Sequence, residues 1–268
     1  MDWKRIATAV IGLPVVAAVL VFANNYIIDA IIAIIALIAM HEFFDAISKN
    51  SNPVKWVGYL ACISIAFIHI IPSEYFKITV SLAISAIILV LFLHVIISKM
   101  NTNLKDIAYT FFGIFYIAVF LMFLALVRSM ENGVILIWYV LIAAWGTDIF
   151  AYFVGKYFGK HKFSKISPKK TIEGCIGGTV GAVIIAIVYT YFINKYVGIN
   201  YSYVFVFAIT VVLSIISHIG DFAASTIKRY VEIKDYSELI PGHGGVLDRF
   251  DSLLFVAPFA YSIFMLIQ

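Results

Sequence analysis

Long apolar segments follow one another along almost the whole chain and constrain its fold more than any other feature. Hydrophobic residues make up 63% of the 268 residues and charged residues 13%, a composition that a water-soluble globule of this size cannot accommodate. A helix needs about 20 apolar residues to cross the hydrocarbon layer of a membrane. The sequence therefore predicts an all-α, polytopic integral membrane protein with about nine transmembrane helices. The nine apolar segments are 6–23, 27–47, 55–71, 77–98, 106–127, 133–155, 172–193, 203–225 and 250–267.

The basic residues predict the orientation, because cytoplasmic loops retain Lys and Arg more than external loops do. With the N-terminus inside, only Lys77, Arg128 and Lys195 of the 19 Lys and Arg residues lie outside. Nine spans then place the N-terminus in the cytoplasm and the C-terminus outside. The polar loops 156–171 and 228–249 face the cytoplasm. We expect a multi-pass protein of the cell (inner) membrane with its active site on the cytoplasmic side.

Ionisable residues are concentrated in the second half of the chain. We expect residues 1–130 to form a scaffold of transmembrane helices, which could also supply dimer contacts, and residues 131–268 to form the catalytic region. The net charge of +4 fits the positive-inside bias and anionic lipid headgroups, and nucleic acid is not an expected partner. Cys62 and Cys175 lie in predicted spans, where neither a disulfide nor a metal site is indicated.

The first polar cluster begins at Asp148, which shares a predicted helix face with Tyr152 and Gly155. An aspartate in or near a span is costly and is expected to be functional unless a partner is found. The alternative is a polar contact to a Tyr or Thr of a neighbouring helix. The nearby sequence GKYFGK lacks the spacing of a Walker A phosphate loop and its following Ser or Thr, so that motif is rejected.

The second cluster is the basic loop that precedes the seventh apolar segment. Its end, 167–171, places paired lysines directly before a helix start, where free N–H groups already favour an anion. A polyphosphate could bind there. For the lysines from Lys156 to Lys165, a role in topology or lipid anchoring remains open. Four glycines that follow are spaced as in close helix packing, namely Gly174, Gly177, Gly178 and Gly181.

The third cluster is the densest, running from Asp221 to Asp251. Four residues fall on one stripe of the eighth predicted helix, namely Asp221, Ser225, Lys228 and Arg229. A Pro-Gly-His-Gly-Gly turn follows, in which glycines permit close backbone approach to a ligand. Asp248 and Asp251 are then one turn apart at the start of the ninth helix. Hard oxygen ligands beside a phosphate site suit magnesium. The alternative is a solvated loop with helix caps.

This cluster resembles the signature of the phosphatidate cytidylyltransferases, also called CDP-diacylglycerol synthases. The family pattern is similar to S-x-x-K-R-x4-K-D-x4-(L/I)-P-G-H-G-G-hydrophobic-x-D-R-x-D, and the chain departs from it nowhere. The matching residues are Ser225, Lys228, Arg229, Lys234, Asp235, Pro241, Gly242, His243, Gly244, Gly245, Asp248, Arg249 and Asp251. With the upstream clusters, the resemblance covers roughly residues 145–258, and in the first five segments it is limited to hydropathy and Glu42.

The resemblance implies condensation of CTP with phosphatidic acid to CDP-diacylglycerol and pyrophosphate, in an all-helical homodimer among membrane lipids. It implies dependence on Mg²⁺, with room for a second cation such as K⁺, and the metal ligands Asp221 and Asp248. The predicted catalytic residues are Asp148, Asp221, Lys228, Arg229, Asp248 and Asp251. The predicted substrate-binding residues are Ser167, Lys169, Lys170, Thr171, Ser225, Lys234, His243, Gly244, Gly245 and Arg249.

Two other functions are compatible with the same residues. A CTP-dependent kinase of a polyprenol or another lipid alcohol would release CDP instead of pyrophosphate. An ion or phosphate transporter would also place acids within helices. Transporters often carry paired, interrupted spans in two halves, whereas the polar groups here are confined to one half.

Overall fold

The computed structural model describes residues 3–164, 166–239 and 244–266. In these ranges the regular secondary structure is helical, and an isolated antiparallel bridge joins Lys162 to Thr171. The all-α prediction is confirmed.

Eleven α-helices are present in the described ranges. They are α1 Trp3–Phe22, α2 Asn25–Ile47, α3 Lys55–Ser64, α4 Ser73–Ile97, α5 Leu104–Gly113, α6 Phe120–Ser129, α7 Gly133–Leu141, α8 Thr147–Phe158, α9 Ile172–Tyr196, α10 Tyr203–Tyr230 and α11 Leu247–Met265. A 3₁₀ turn, Ile65–Ile70, extends α3. Two π-helical segments, Ile114–Val119 and Ile142–Gly146, join α5 to α6 and α7 to α8.

Six helical segments of the described chain are long and apolar enough to cross a membrane. They are Asn25–Ile47, Glu74–Ile97, Leu104–Ser129, Gly133–Phe158, Ile172–Tyr196 and Tyr203–Tyr230. A multi-pass membrane protein is therefore confirmed. The three other predicted segments also coincide with helices: α1, α3 with its 3₁₀ extension, and α11.

The chain forms two compact units. The first comprises Met1–Ala125 and Tyr230–Arg249, and the second comprises Leu126–Arg229 and Phe250–Gln268. In the first unit, α2 carries the largest buried side chains, including Met40, Phe43 and Phe44. Asp106 completes a capping box at the start of α5 and also accepts a hydrogen bond from the backbone N–H of Asn52 (2.7 Å). Local capping thus fixes a loop between helices.

In the second unit, α8 and α9 pack with their backbones in direct contact. A Cβ atom on Gly178 would lie 2.7 Å from the carbonyl oxygen of Thr147, and one on Gly174 would lie 2.8 Å from that of Ala151. The predicted packing role of Gly178 is confirmed. The hydroxyl of Ser214 on α10 bonds to Thr147 (2.5 Å), so α8, α9 and α10 form a close-packed support for the polar groups at their ends.

Candidate active site

Three carboxylates from three helices of the second unit lie close enough to interact electrostatically. Asp148 lies in the first turn of α8, Asp221 in α10 and Asp251 in α11. Asp251 is only 8% exposed and interacts electrostatically with Asp221, Asp148 and Lys228. Gly220 allows α10 and α11 to approach each other closely, because a Cβ atom at this position would lie 2.8 Å from the carbonyl oxygen of Asp251. Four predicted catalytic residues are thus brought together.

Lys170 brings a cation to this group of acids from the loop before α9. Its ammonium forms an ion pair with the carboxylate of Asp221, and the two side chains are only 17% and 24% exposed. The ammonium also lies 4.5 Å from the ring centroid of Phe222, which stacks on Phe163 with centroids 4.8 Å apart. The Lys170 ammonium is thus held between an aromatic face and a carboxylate, away from most water, where interactions between charges are stronger than in bulk water.

The loop that carries Lys170 is anchored by Glu173, in the first turn of α9. The Glu173 carboxylate accepts hydrogen bonds from the backbone N–H groups of Lys160 and His161 (both 3.2 Å), and the His161 ring lies 2.5 Å from it. The backbone N–H of Phe163 also donates to the carbonyl oxygen of Lys170 (3.0 Å). The position of the Lys170 backbone is therefore set by its own loop.

The other predicted residues around this loop take varied positions. Thr171 caps α9, since its hydroxyl accepts from the backbone N–H of Gly174 (3.1 Å). Ser167 closes a turn, because its carbonyl oxygen accepts from the backbone N–H of Lys170 (3.0 Å).

Two of the predicted basic residues, Lys169 and Arg229, are exposed. The Arg229 guanidinium donates to the carbonyl oxygen of Ile166 (3.4 Å). Further residues are buried on α10, namely Ser225 and Lys228.

Ser252 is a functional candidate that the sequence analysis missed. Its hydroxyl is fully buried and donates to the Asp148 carboxylate at 2.9 Å. Its position directly after Asp251 was the only available signal. A polar helix contact of the kind considered for Asp148 is therefore present, to a serine of α11.

Asp248 lies in the first unit, in the first turn of α11. It is 6% exposed, and one of its oxygens accepts from the backbone N–H groups of Tyr236 (2.8 Å) and Gly245 (3.0 Å). Gly244 has a φ of +82°, which favours glycine. Lys234 and Arg249 are exposed in the same unit. The predicted His243 lies outside the described residues.

Glu42 of α2 is the second candidate that was not predicted. Its carboxylate is 4% exposed and accepts hydrogen bonds from three groups in 237–247, a segment of the same unit. Nothing in the sequence links two positions about 200 residues apart. Its acidic character within an apolar segment and its place in the family resemblance were the only signals.

The donor chemistry of these acids fits Mg²⁺. In the described ranges, no three His, Cys, Asp or Glu side chains form a ready metal cage. Mg²⁺ does not require one, because it keeps several waters and binds through one or two carboxylates together with substrate phosphates. Asp148, Asp221 and Asp251 offer only oxygen ligands, and the Lys170 ammonium lies beside Asp221. Of the predicted metal ligands, Asp221 belongs to the second unit and Asp248 to the first.

Comparison with known proteins gives matches over nearly the whole chain. A family model described as "Cytidylyltransferase family" matches residues 3–267. A phosphatidate cytidylyltransferase of Staphylococcus aureus is 32% identical over 260 residues, 95% of each chain. The Bacillus subtilis protein of that name is 31% identical over 271 residues, 98% of this chain and 97% of its own. That of Staphylococcus saprophyticus is 33% identical over 260 residues, 95% of each chain. The chain therefore belongs to the cytidylyltransferase family.

Proposed function

We propose that the chain transfers CMP from CTP to phosphatidate, giving CDP-diacylglycerol and pyrophosphate for phospholipid synthesis. The observation that carries this conclusion is the near full-length similarity, at 31% to 33% identity, to phosphatidate cytidylyltransferases. The group of acids and cations in the second unit supports the same reaction. No observation favours the lipid-kinase or transporter alternatives over it.

The reaction is an in-line displacement at the α-phosphorus of CTP. A phosphate oxygen of phosphatidate forms the new bond to phosphorus, and the bond from phosphorus to the oxygen of pyrophosphate breaks. Phosphatidate supplies the nucleophilic oxygen itself, so the protein provides no covalent nucleophile. Its contribution is to position the two substrates and to neutralise their charges.

The cations divide into a sheltered and an exposed set. Lys170 and Lys228 are sheltered beside Asp221 and Asp251, and we assign them to the phosphates that react. The exposed cations attract the triphosphate and the lipid headgroup from the membrane surface, and these are Lys169, Arg229, Lys234 and Arg249. The proposal also keeps the remaining predicted substrate-binding residues, which are Ser167, Thr171, Ser225, His243, Gly244 and Gly245.

Asp221 and Asp248 are the Mg²⁺ ligands that the family resemblance implies, and a second cation such as K⁺ belongs to the same proposal. When bound, Mg²⁺ neutralises phosphate charge and favours departure of pyrophosphate. The Lys170 ammonium already forms an ion pair with the Asp221 carboxylate. We therefore expect this ammonium to leave Asp221 and bind a phosphate oxygen when the nucleotide binds. Asp148, held by Ser252, and the buried Asp251 would orient a water molecule or a basic side chain.

The same proposal includes nine spans in the cell (inner) membrane, with the N-terminus in the cytoplasm and the active site facing it. The distribution of basic residues and the helices at all nine apolar segments support this topology. A homodimer is part of the proposal on the strength of family resemblance.

The test is to supply purified protein with CTP, phosphatidate and Mg²⁺ and to measure the released nucleotide product. Phosphatidate-dependent release of pyrophosphate, with CDP-diacylglycerol in the lipid fraction, is the expected result. Release of CDP with a lipid alcohol as acceptor would instead identify a lipid kinase.

A further inference from the structure

Glu42 connects α2 to the part of the signature segment that leads into Asp248. We propose that Glu42 is a positioning residue, which fixes the backbone of 244–247 and thereby holds Asp248 in its reactive geometry. The inference rests on the proposed function, because it assumes that Asp248 takes part in CMP transfer. It also gives the N-terminal helices a part in catalysis that the sequence did not indicate.

The Glu42 carboxylate binds the start of α11. One oxygen accepts from the hydroxyl of Ser237 (2.5 Å) and from the backbone N–H of Val246 (2.9 Å), and the other accepts from the N–H of Leu247 (2.7 Å). The N–H groups at a helix start have no partner within the helix, and the helix dipole favours a negative charge there. A carboxylate from a distant helix therefore caps the start of α11.

Gly245 makes this contact possible. A Cβ atom at this position would lie 2.6 and 2.7 Å from the two carboxylate oxygens of Glu42, closer than van der Waals contact allows. The second glycine of the signature therefore has a structural explanation apart from approach to a ligand. It leaves room for the carboxylate that holds the next two backbone N–H groups.

Asp248 holds the same stretch of backbone from the other end. Its carboxylate accepts from the N–H of Gly245, so three consecutive N–H groups, those of Gly245, Val246 and Leu247, are divided between two buried carboxylates. Any shift of 245–247 therefore changes the hydrogen bonding of both acids. Since a buried carboxylate is costly unless it is well hydrogen-bonded, displacement of Glu42 disturbs the orientation of Asp248.

The proposal is tested with Glu42→Gln, Glu42→Ala and a matched control, Asp45→Asn. Asp45 lies one turn further along α2, is 52% exposed and pairs with Lys55, so its charge is lost without touching the signature. We expect Glu42→Ala to lower kcat about 10- to 100-fold, with the KM for CTP changed less than about 3-fold. The Mg²⁺ concentration for half-maximal activity should rise about 10-fold. Glu42→Gln, which keeps one carbonyl acceptor, should lie between Glu42→Ala and the wild type, and Asp45→Asn should match the wild type.

Hydrogen–deuterium exchange of the Mg²⁺-free protein gives a readout that does not depend on activity. The N–H groups of 245–247 should exchange faster in Glu42→Ala and Glu42→Gln than in Asp45→Asn, while exchange in α9 stays unchanged. A double variant tests the steric step. Gly245→Ala should impair activity by itself, and adding Glu42→Ala should cause little further loss, because the same contact is already broken.

The outcomes separate this inference from the proposed function. If the wild type transfers no CMP, the proposed function fails. If the wild type is active but Glu42→Ala keeps the wild-type kcat, Mg²⁺ dependence and exchange of 245–247, the positioning role is refuted. A Glu42→Ala protein that loses protection throughout the chain would also refute it, unless the well-folded Glu42→Gln protein shows the local exchange and Mg²⁺ effects.

Discussion

The ion pair between Lys170 and Asp221 can be tested by its effect on stability, separately from catalysis. Removing the ammonium with Lys170→Met leaves the Asp221 carboxylate, which is only 24% exposed, without this counter-charge. Two unit charges about 4 Å apart attract by about 4 kcal/mol at an effective dielectric constant of about 20. Desolvation of both groups offsets part of this, so we expect a loss of about 2 kcal/mol in the free energy of unfolding.

The assay is a double-mutant cycle by unfolding in detergent micelles, with Lys170→Met, Asp221→Asn and the double variant. The cycle should give a coupling free energy of about 1–3 kcal/mol. Lys169→Met is the matched control, because Lys169 is the exposed neighbour of Lys170, and it should change stability by less than about 0.5 kcal/mol. A coupling free energy near zero, or equal losses at the two lysines, would refute the ion pair as an element of the site.

Three further predictions concern the second unit and the proposed metal. Ser252→Ala should reduce CMP transfer about 10-fold in a steady-state assay, because the Asp148 carboxylate loses its 2.9 Å hydrogen bond; unchanged kcat and KM would contradict this. Gly178→Ala should lower the thermal midpoint measurably, since its Cβ would lie 2.7 Å from the Thr147 carbonyl oxygen. Gly146→Ala, whose nearest such contact is 3.7 Å, should have a smaller effect. A chelator of divalent cations should abolish activity, and Mg²⁺ but not K⁺ alone should restore it; activity that survives chelation would exclude the metal assignment.

Hydropathy predicted the helices well, because each apolar segment must satisfy its backbone hydrogen bonds within the membrane. The apolar segments indicated the ends of the helices less closely. The eighth segment ends at 225, whereas α10 continues to Tyr230 and includes Lys228 and Arg229, as their helical spacing predicted. Apolarity shows where the hydrocarbon layer ends, while a helix can extend beyond it. The π-helical segments were not predicted, since a change in hydrogen-bond register leaves no trace in hydropathy.

The polar clusters and the signature together predicted most of the acids and cations that the structure brings together, because their chemistry is unusual in an apolar chain. It did not predict the partners that hold them. Ser252 is an ordinary residue in an apolar helix, and its role depends on the packing of α11 against α8. Glu42 acts on a segment about 200 residues away, and that contact exists only in the folded unit. Such support depends on tertiary structure, which sequence spacing does not encode.

The fate of label from CTP tests the central claim most directly. Purified protein is incubated with phosphatidate, Mg²⁺ and either CTP labelled in the cytosine ring or CTP labelled at the γ-phosphate. The account predicts that ring label enters the lipid fraction and that γ-phosphate label leaves as pyrophosphate. Entry of γ-phosphate label into lipid, with ring label remaining in CDP, would contradict it.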